Sequence, residues 1–297
     1  MSGWRRITEE QERRHRIDAS IERVLRRRSA AEGVEARTLK TSDGDFWVRE
    51  TADGRQTHGV WVLPGGPPTV LGDIEARDGD AHAAWDAIRE LASQPGMTDT
   101  VAFSAFRGDG FAAALADAAP VRRIATKMQR EVSGMAPPEG ITTRPMTTAE
   151  FDDYLAEGAR SYADELLANG AVVDAEAAMA EAEASMARML PEGLDTPGEK
   201  LWIVQDRDAR PVGLLWVHFQ TELAFIYDIE MRESVRGLGY GTQTLRAAAA
   251  HTRDAGLPLL ALNVFGSNDA ARRLYTREGF VETEAIWSAD ASGRDGG

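Results

Sequence analysis

The chain repeats itself. Phe46-Trp47-Val48 pairs with Leu201-Trp202-Ile203, Trp61-Val62 with Trp216-Val217, and Asp73-Ile74-Glu75 with Asp228-Ile229-Glu230, each pair 155 positions apart. Three ungapped matches at one offset imply two copies of one structural unit, and 297 residues suit two domains of ~150. Phe106 and Phe265 stand 159 apart, so the second copy carries four extra residues between its Glu and that Phe. The Gly/Pro cluster Ser133–Gly140 reads as the linker, which predicts domains over 1–135 and 136–297.

The matched segments are strand-like. Residues 201–206 and 212–220 flank the polar run Asp206–Arg210 and predict a hairpin, and 223–231 predicts a third strand. The pattern turns helical from Thr242 to Ala255 and closes at Gly256. A strand over 259–265 follows, then a helix that Ser267-Asn268-Asp269 can cap and that ends near Gly279. Upstream, Ile141–Pro145 reads as an opening strand, with helices over Thr147–Leu167, capped at Thr147 or Thr148, and over Asp174–Met189. The predicted fold class is α/β, an α+β mixed sheet flanked by helices in each of two tandem domains. In the first half, Glu9–Arg28 is a long charged helix with little room for a strand before it. Its many arginines are interleaved with acidic residues, which predicts a solvated or interdomain helix more than an anion site. The polar tail Asp290–Gly297 is expected to be disordered.

Composition narrows the chemistry. With no cysteine, disulfides, thiolate metal sites and a cysteine acyl-enzyme are excluded together. The five histidines lack HExxH-type spacing, so no metal is expected. A net charge of −14 repels phosphate backbones, which argues against nucleic acid and mildly favours cationic substrates such as amines. No apolar run is long enough to span a membrane or to follow the N-terminal arginines as a signal peptide, so a cytoplasmic protein without membrane partners is expected. Oligomeric state is not encoded in any motif.

The four extra residues of the second copy coincide with Arg236-Gly237-Leu238-Gly239-Tyr240-Gly241, a glycine-rich loop between a strand and a helix. Glycines admit close backbone approach, and N–H groups at a helix start attract phosphate oxygens. A dinucleotide fingerprint would need a glycine where Thr242 stands, and a P-loop would need Gly-Lys-Ser/Thr. A purely structural turn is the other reading of the loop alone.

These residues resemble the GNAT superfamily of N-acetyltransferases, whose acetyl-CoA signature Gln/Arg-x-x-Gly-x-Gly/Ala is matched by Arg236 to Gly241. The family's second signature is also present as Asn268, Tyr275 and the closing Gly279-Phe280. The resemblance implies acetyl-CoA as cosubstrate, held by Ile229, Met231, Arg236, Gly237, Leu238, Gly239, Tyr240, Gly241, Thr242 and Asn268. It also implies a small-molecule or protein amine as acceptor.

The residue chemistry is compatible with that implication. Asn268 and Tyr275 are seven apart, so on a helix they share a face. An alkylamine of pKa about 10 must lose a proton before it attacks a thioester, and Glu230 is the candidate base, acting through water. Tyr275 can protonate the departing thiolate, and backbone N–H near Met231 can polarise the thioester carbonyl. Competing readings are a packing role for Tyr275 and a structural role for Glu230, whose counterpart Glu75 lies in the first copy. Tyr154, Tyr162, Asp164 and Glu165 read as ordinary helix surface and core more than as an amine site. Asp174, Glu176, Glu181 and Glu183 read as a solvated face.

The first copy has Asp78-Gly79-Asp80 where the second has its glycine loop. It has Asp109 for Asn268, Ala116 for Tyr275 and Pro120-Val121 for Gly279-Phe280. It therefore reads as a degenerate copy without an acetyl-CoA site, an arrangement similar to that of mycothiol synthases. The expected function is direct acetyl transfer to a primary amine by the second copy. Acetylation of an amino sugar and a non-catalytic acyl-CoA-binding regulator are the alternatives.

Overall fold

The computed structural model describes residues 3–36, 39, 41–168, 174–266 and 268–292. In chain order the elements are β1 (Gly3–Arg6), α1 (Glu10–Glu32), β2 (Asp45–Glu50), β3 (Gln56–Val62), β4 (Thr69–Ala76), α2 (Ala81–Ala92), β5 (Thr100–Phe106), α3 (Gly110–Ala118) and β6 (Val121–Glu131). They continue as β7 (Ile141–Pro145), α4 (Thr148–Ala168), α5 (Ala175–Met189), β8 (Glu199–Asp206), β9 (Pro211–Phe219), β10 (Leu223–Met231), α6 (Tyr240–Asp254), β11 (Leu259–Phe265), α7 (Asp269–Arg277) and β12 (Val281–Asp290). The chain forms two compact units. The first is Met1–Met128 with Val264–Arg273 and Val281–Gly297, and the second is Gln129–Asn263 with Leu274–Phe280. Both are mixed sheets flanked by helices, as the α/β pattern requires.

In the first unit the strand order is β1-β2-β3-β4-β5-β12-β6. Strands β4 and β5 pair in parallel, from Thr69↔Val101 to Leu71↔Phe103. Trp47, Leu71, Trp85, Ile88 and Phe103 centre one core cluster, and Ile17 of α1 joins Phe46 and Trp61 in another. Two sequence expectations are corrected here. A strand does precede α1: β1 pairs with β2, and the Trp4 indole donates to Ala87 O at 2.8 Å. The arginines of α1 are not uniformly solvated, because Arg23 and Arg27 turn inward onto Asp73. The tail is ordered through Ser292, with Asp290 closing β12 and the Ala291 N–H donating to Asp99 O at 2.6 Å, while 293–297 lie outside the described residues.

Strand β12 escaped the sequence reading for a physical reason. Its buried positions include Thr283 and Glu284, so the apolar alternation that marks a half-buried strand is missing. The Glu284 carboxylate is satisfied by Ser104 Oγ at 2.5 Å and by Lys127, side chains more than 150 positions away that no local pattern reveals.

In the second unit the order is β11-β10-β9-β8-β7. The predicted hairpin is β8–β9, and its turn is closed by Asp206 N–H to Arg210 O at 3.0 Å, with Ala209 at φ 61°. Helix α4 begins in a reciprocal capping box: Thr147 N–H donates to Glu150 Oε2 at 2.9 Å and Glu150 N–H to Thr147 Oγ1 at 3.3 Å. Its apolar face, Phe151 with Tyr154 and Leu155, packs on Leu201, Ile203, Leu214 and Trp216 of β8 and β9. Residues alternate across a strand, so Trp202 lies on the other face, where it stacks on His251 of α6 at 4.3 Å. The acidic residues Asp174, Glu176, Glu181 and Glu183 are exposed, as the helical pattern predicts.

The repeat is visible in the ladders. Trp61 faces Asp73 across β3–β4, and Trp216 faces Asp228 across β9–β10. Each ladder is interrupted by a bulge at the same position, Gly72 in one copy and Tyr227 in the other. The parallel pairing also stops at equivalent points, after Leu71↔Phe103 and after Ile226↔Leu262. Beyond Ile226, among the described residues, β10 continues paired with β9 alone.

Candidate active site

The bulge and the end of the parallel ladder fall together in the second unit, where the sequence placed its chemistry. Asp228 and Glu230 alternate along β10 and so share the sheet face on which α4 packs. From that helix the Tyr154 hydroxyl donates to Asp228 Oδ2 at 2.9 Å, while its ring packs on the core around Phe151 and Trp216 as the sequence reading of a helix-core residue expects. Of the residues weighed with it, Tyr162 packs against an alanine cluster of α4 and α5 and Asp164 is exposed. The side chain of Glu165 lies outside the described residues.

Burial pushes the Asp228 carboxyl above its usual range, an effect its hydrogen bond from Tyr154 partly opposes. Burial also raises Glu230, reinforced by the charges of Asp228 and Glu157 and opposed by Arg236, 3.7 Å away. A raised carboxylate is a better proton acceptor near neutral pH. Tyr275, buried in α7 with its ring centroid 6.0 Å from that of Phe280, is pushed up to about 12 by burial and by the charge of Asp228. It therefore holds its proton at physiological pH. Asp228 influences both Glu230 and Tyr275, so the three groups form one electrostatic unit.

Past β10 the chain makes a short turn at Glu233–Val235 and enters the glycine loop, where Arg236 Nε donates to Met231 O at 3.1 Å. Gly237 and Gly239 adopt φ 83° and 88°, conformations that side chains disfavour, and the space where their Cβ atoms would stand is open. Leu238 between them is 70% exposed. Tyr240, Gly241 and Thr242 form the first turn of α6, whose N-terminus has no side-chain cap. Uncapped N–H groups behind open glycines attract anionic oxygens, so the residues present fit a pyrophosphate-bearing cosubstrate. Ile229 and Met231 lie in β10 opposite Leu215 and Gly213. Gly213 is required there, since a Cβ would stand 2.3 Å from Glu230 O. Asn268 belongs to the segment grouped with the first unit, where its Oδ1 accepts from Ala271 N–H at 3.0 Å and caps α7. Ser267, the other predicted cap, lies outside the described residues. Among the described residues no cluster of His, Asp and Glu could hold a metal, and no helix is long and apolar enough to cross a membrane.

The first unit treats its equivalent residues differently. Asp73 and Glu75, the counterparts of Asp228 and Glu230, are both paired with Arg23 of α1. Arg27 pairs with Asp73 and, at 3.1 Å, with Asp109, which caps α3 as Asn268 caps α7. Asp73 and Glu75 are held by the arginines of α1, whereas Asp228 accepts from a tyrosine and Glu230 lies beside the exposed Arg236.

Comparison with known proteins shows the family of the chain. The acetyltransferase (GNAT) family matches residues 170–280. The uncharacterized N-acetyltransferase YycN of Bacillus subtilis is 37% identical over 152 residues, half of this chain and 97% of that protein. A mycothiol acetyltransferase of Kytococcus sedentarius is 28% identical over 209 residues, 67% of this chain and 60% of that protein. The GCN5-related N-acetyltransferase of Sphaerobacter thermophilus superposes with a TM-score of 0.54 at 14% identity, covering 98% of this chain and 96% of that one, a likeness of fold. By these similarities the chain belongs to the GNAT family and is an acyltransferase.

Proposed function

We propose that the second unit transfers an acetyl group from acetyl-CoA directly to a primary amine. The observation that carries this reading is the conjunction of an uncapped helix behind open glycines with a raised carboxylate and a protonated tyrosine. Gly237, Gly239, Tyr240, Gly241 and Thr242 hold the pyrophosphate through backbone N–H groups, and Arg236 adds positive charge. The β10 backbone at Ile229 and Met231 holds the pantetheine arm. The bound cosubstrate supplies an activated acyl group on a thiol leaving group.

Glu230 accepts the ammonium proton through water and frees the nitrogen lone pair for attack. Backbone N–H near Met231 stabilises the charge that develops on the carbonyl oxygen. Tyr275 gives a proton to sulfur as the carbon–sulfur bond breaks and the thiol leaves neutral. The tyrosinate then takes the second proton from the acylated nitrogen, leaving the amide and restoring the phenol, and the proton held by Glu230 passes to water. The absence of cysteine supports direct transfer over a cysteine-linked intermediate.

The arginine-filled counterpart in the first unit supports a single cosubstrate site. Calorimetric titration with acetyl-CoA tests the whole reading: one site per chain is expected, and two sites or none overturn it. Gly239→Asp is expected to abolish that binding with a native far-ultraviolet circular dichroism spectrum. A second reading, acetylation of an amino sugar, is favoured by the similarity to a mycothiol acetyltransferase over 209 residues.

A further inference from the structure

Comparing the two copies position by position isolates four residues around the bulge. Where the first has Gly44, Trp61, Leu63 and Gly72, the second has Glu199, Trp216, His218 and Tyr227. Only the tryptophan is kept. The Trp61 indole donates to a backbone carbonyl, Asp43 O, at 3.0 Å, and a Cβ on Gly72 would come within 2.8 Å of its ring. That copy has no room for a side chain at its bulge.

In the second copy the same indole donates to Glu199 Oε2 at 2.5 Å, and the other carboxylate oxygen lies 2.7 Å from His218 Nδ1. Glu199 is buried and accepts from the Trp216 indole, with His218 Nδ1 beside its other oxygen. On this frame lies Tyr227, its ring 4.9 Å from Trp216, 5.3 Å from Phe225 and 6.0 Å from His218. Three aromatic neighbours fix the ring, yet it is 47% exposed. A tyrosine ring held by its neighbours and left half in water presents a preorganised aromatic face to a ligand. It sits on the bulge directly before Asp228, on the side of the acyl-transfer residues away from the glycine loop.

We infer that Tyr227 is the acceptor platform: the ring of a ring-bearing amine stacks on it, with His218 offering a hydrogen bond at the rim. The inference rests on the acetyltransferase reading above. It names a class of acceptor, amines carried on an aromatic or sugar ring, over flexible alkylamines. A fixed aromatic face loses little entropy on binding and discriminates by shape, which is what selects one amine among many.

The test compares kcat/KM for tyramine, glucosamine and butylamine in the wild-type protein, Tyr227→Phe and Tyr227→Ala, with acetyl-CoA affinity measured calorimetrically for each. At least one ring-bearing amine is expected to be preferred over butylamine by about tenfold, mainly through KM, and the better of the two identifies the ring. Tyr227→Phe keeps the preference and Tyr227→Ala erases it. A wild type without the preference, an alanine variant that retains it, or acetyl-CoA binding without turnover of any of the three amines overturns the inference. Failure of the wild type to bind acetyl-CoA overturns the acetyltransferase reading itself and is thereby distinguished.

Discussion

Tyr154 of α4 donates a hydrogen bond to Asp228 of β10 at 2.9 Å, joining a helix to the sheet residue that follows the bulge. Asp228 is surrounded by charge it does not balance: no cation is paired with it among the described residues, and Glu230 stands two residues on. Tyr154 thus keeps Asp228 oriented while leaving its charge available to the site. Tyr154→Phe is expected to lower kcat/KM for the acceptor by about tenfold, the value of one hydrogen bond to a charged group, with acetyl-CoA affinity unchanged. Steady-state kinetics against both substrates check this, and an equal effect on both substrates contradicts it.

Tyr275 is assigned to protonate the leaving thiolate. Tyr275→Phe removes that proton and keeps the ring contact with Phe280, so turnover should fall ~10²-fold or more while acetyl-CoA still binds. An unchanged rate under conditions where chemistry limits turnover would show that solvent protonates the thiolate.

The pH profile carries the sign of the Glu230 shift. Its folded-state pKa is raised above 4.5, and the base works only when ionised, so activity should fall as pH drops through that raised value. The acidic limb therefore lies above the ordinary carboxylate range. Glu230→Gln should lower the rate and abolish this limb, and a limb that persists in the variant assigns the proton transfer to another group, Asp228 first. Tyr275, pushed up to about 12, contributes no limb near neutrality.

In the first unit, Arg27→Ala should destabilise the fold by about 2–3 kcal/mol. Asp73 is 1% exposed at its side chain and keeps only Arg23, and Asp109 at 7% loses its ion pair. Urea unfolding measures it. A change below about 0.5 kcal/mol would mean the pair is no better than a surface contact.

Much of this protein was legible as sequence. The 155-residue repeat, the strand limits 223–231 and 259–265, the glycine loop and the capped helix bearing Tyr275 all depend on interactions within a few residues or on alternation along one strand. Local propensity and periodicity carry such information directly. What only the tertiary structure decided were contacts between distant segments. These are the docking of β12 through Glu284, the turning of Arg23 and Arg27 onto Asp73, the Tyr154–Asp228 bond, and the exposure of Tyr227 on a frame held by Glu199. Each is a polar or charged side chain whose desolvation is offset by a partner far along the chain. A sequence pattern marks such residues only as solvated surface, and the fold alone says which of them are buried, paired or left free to act.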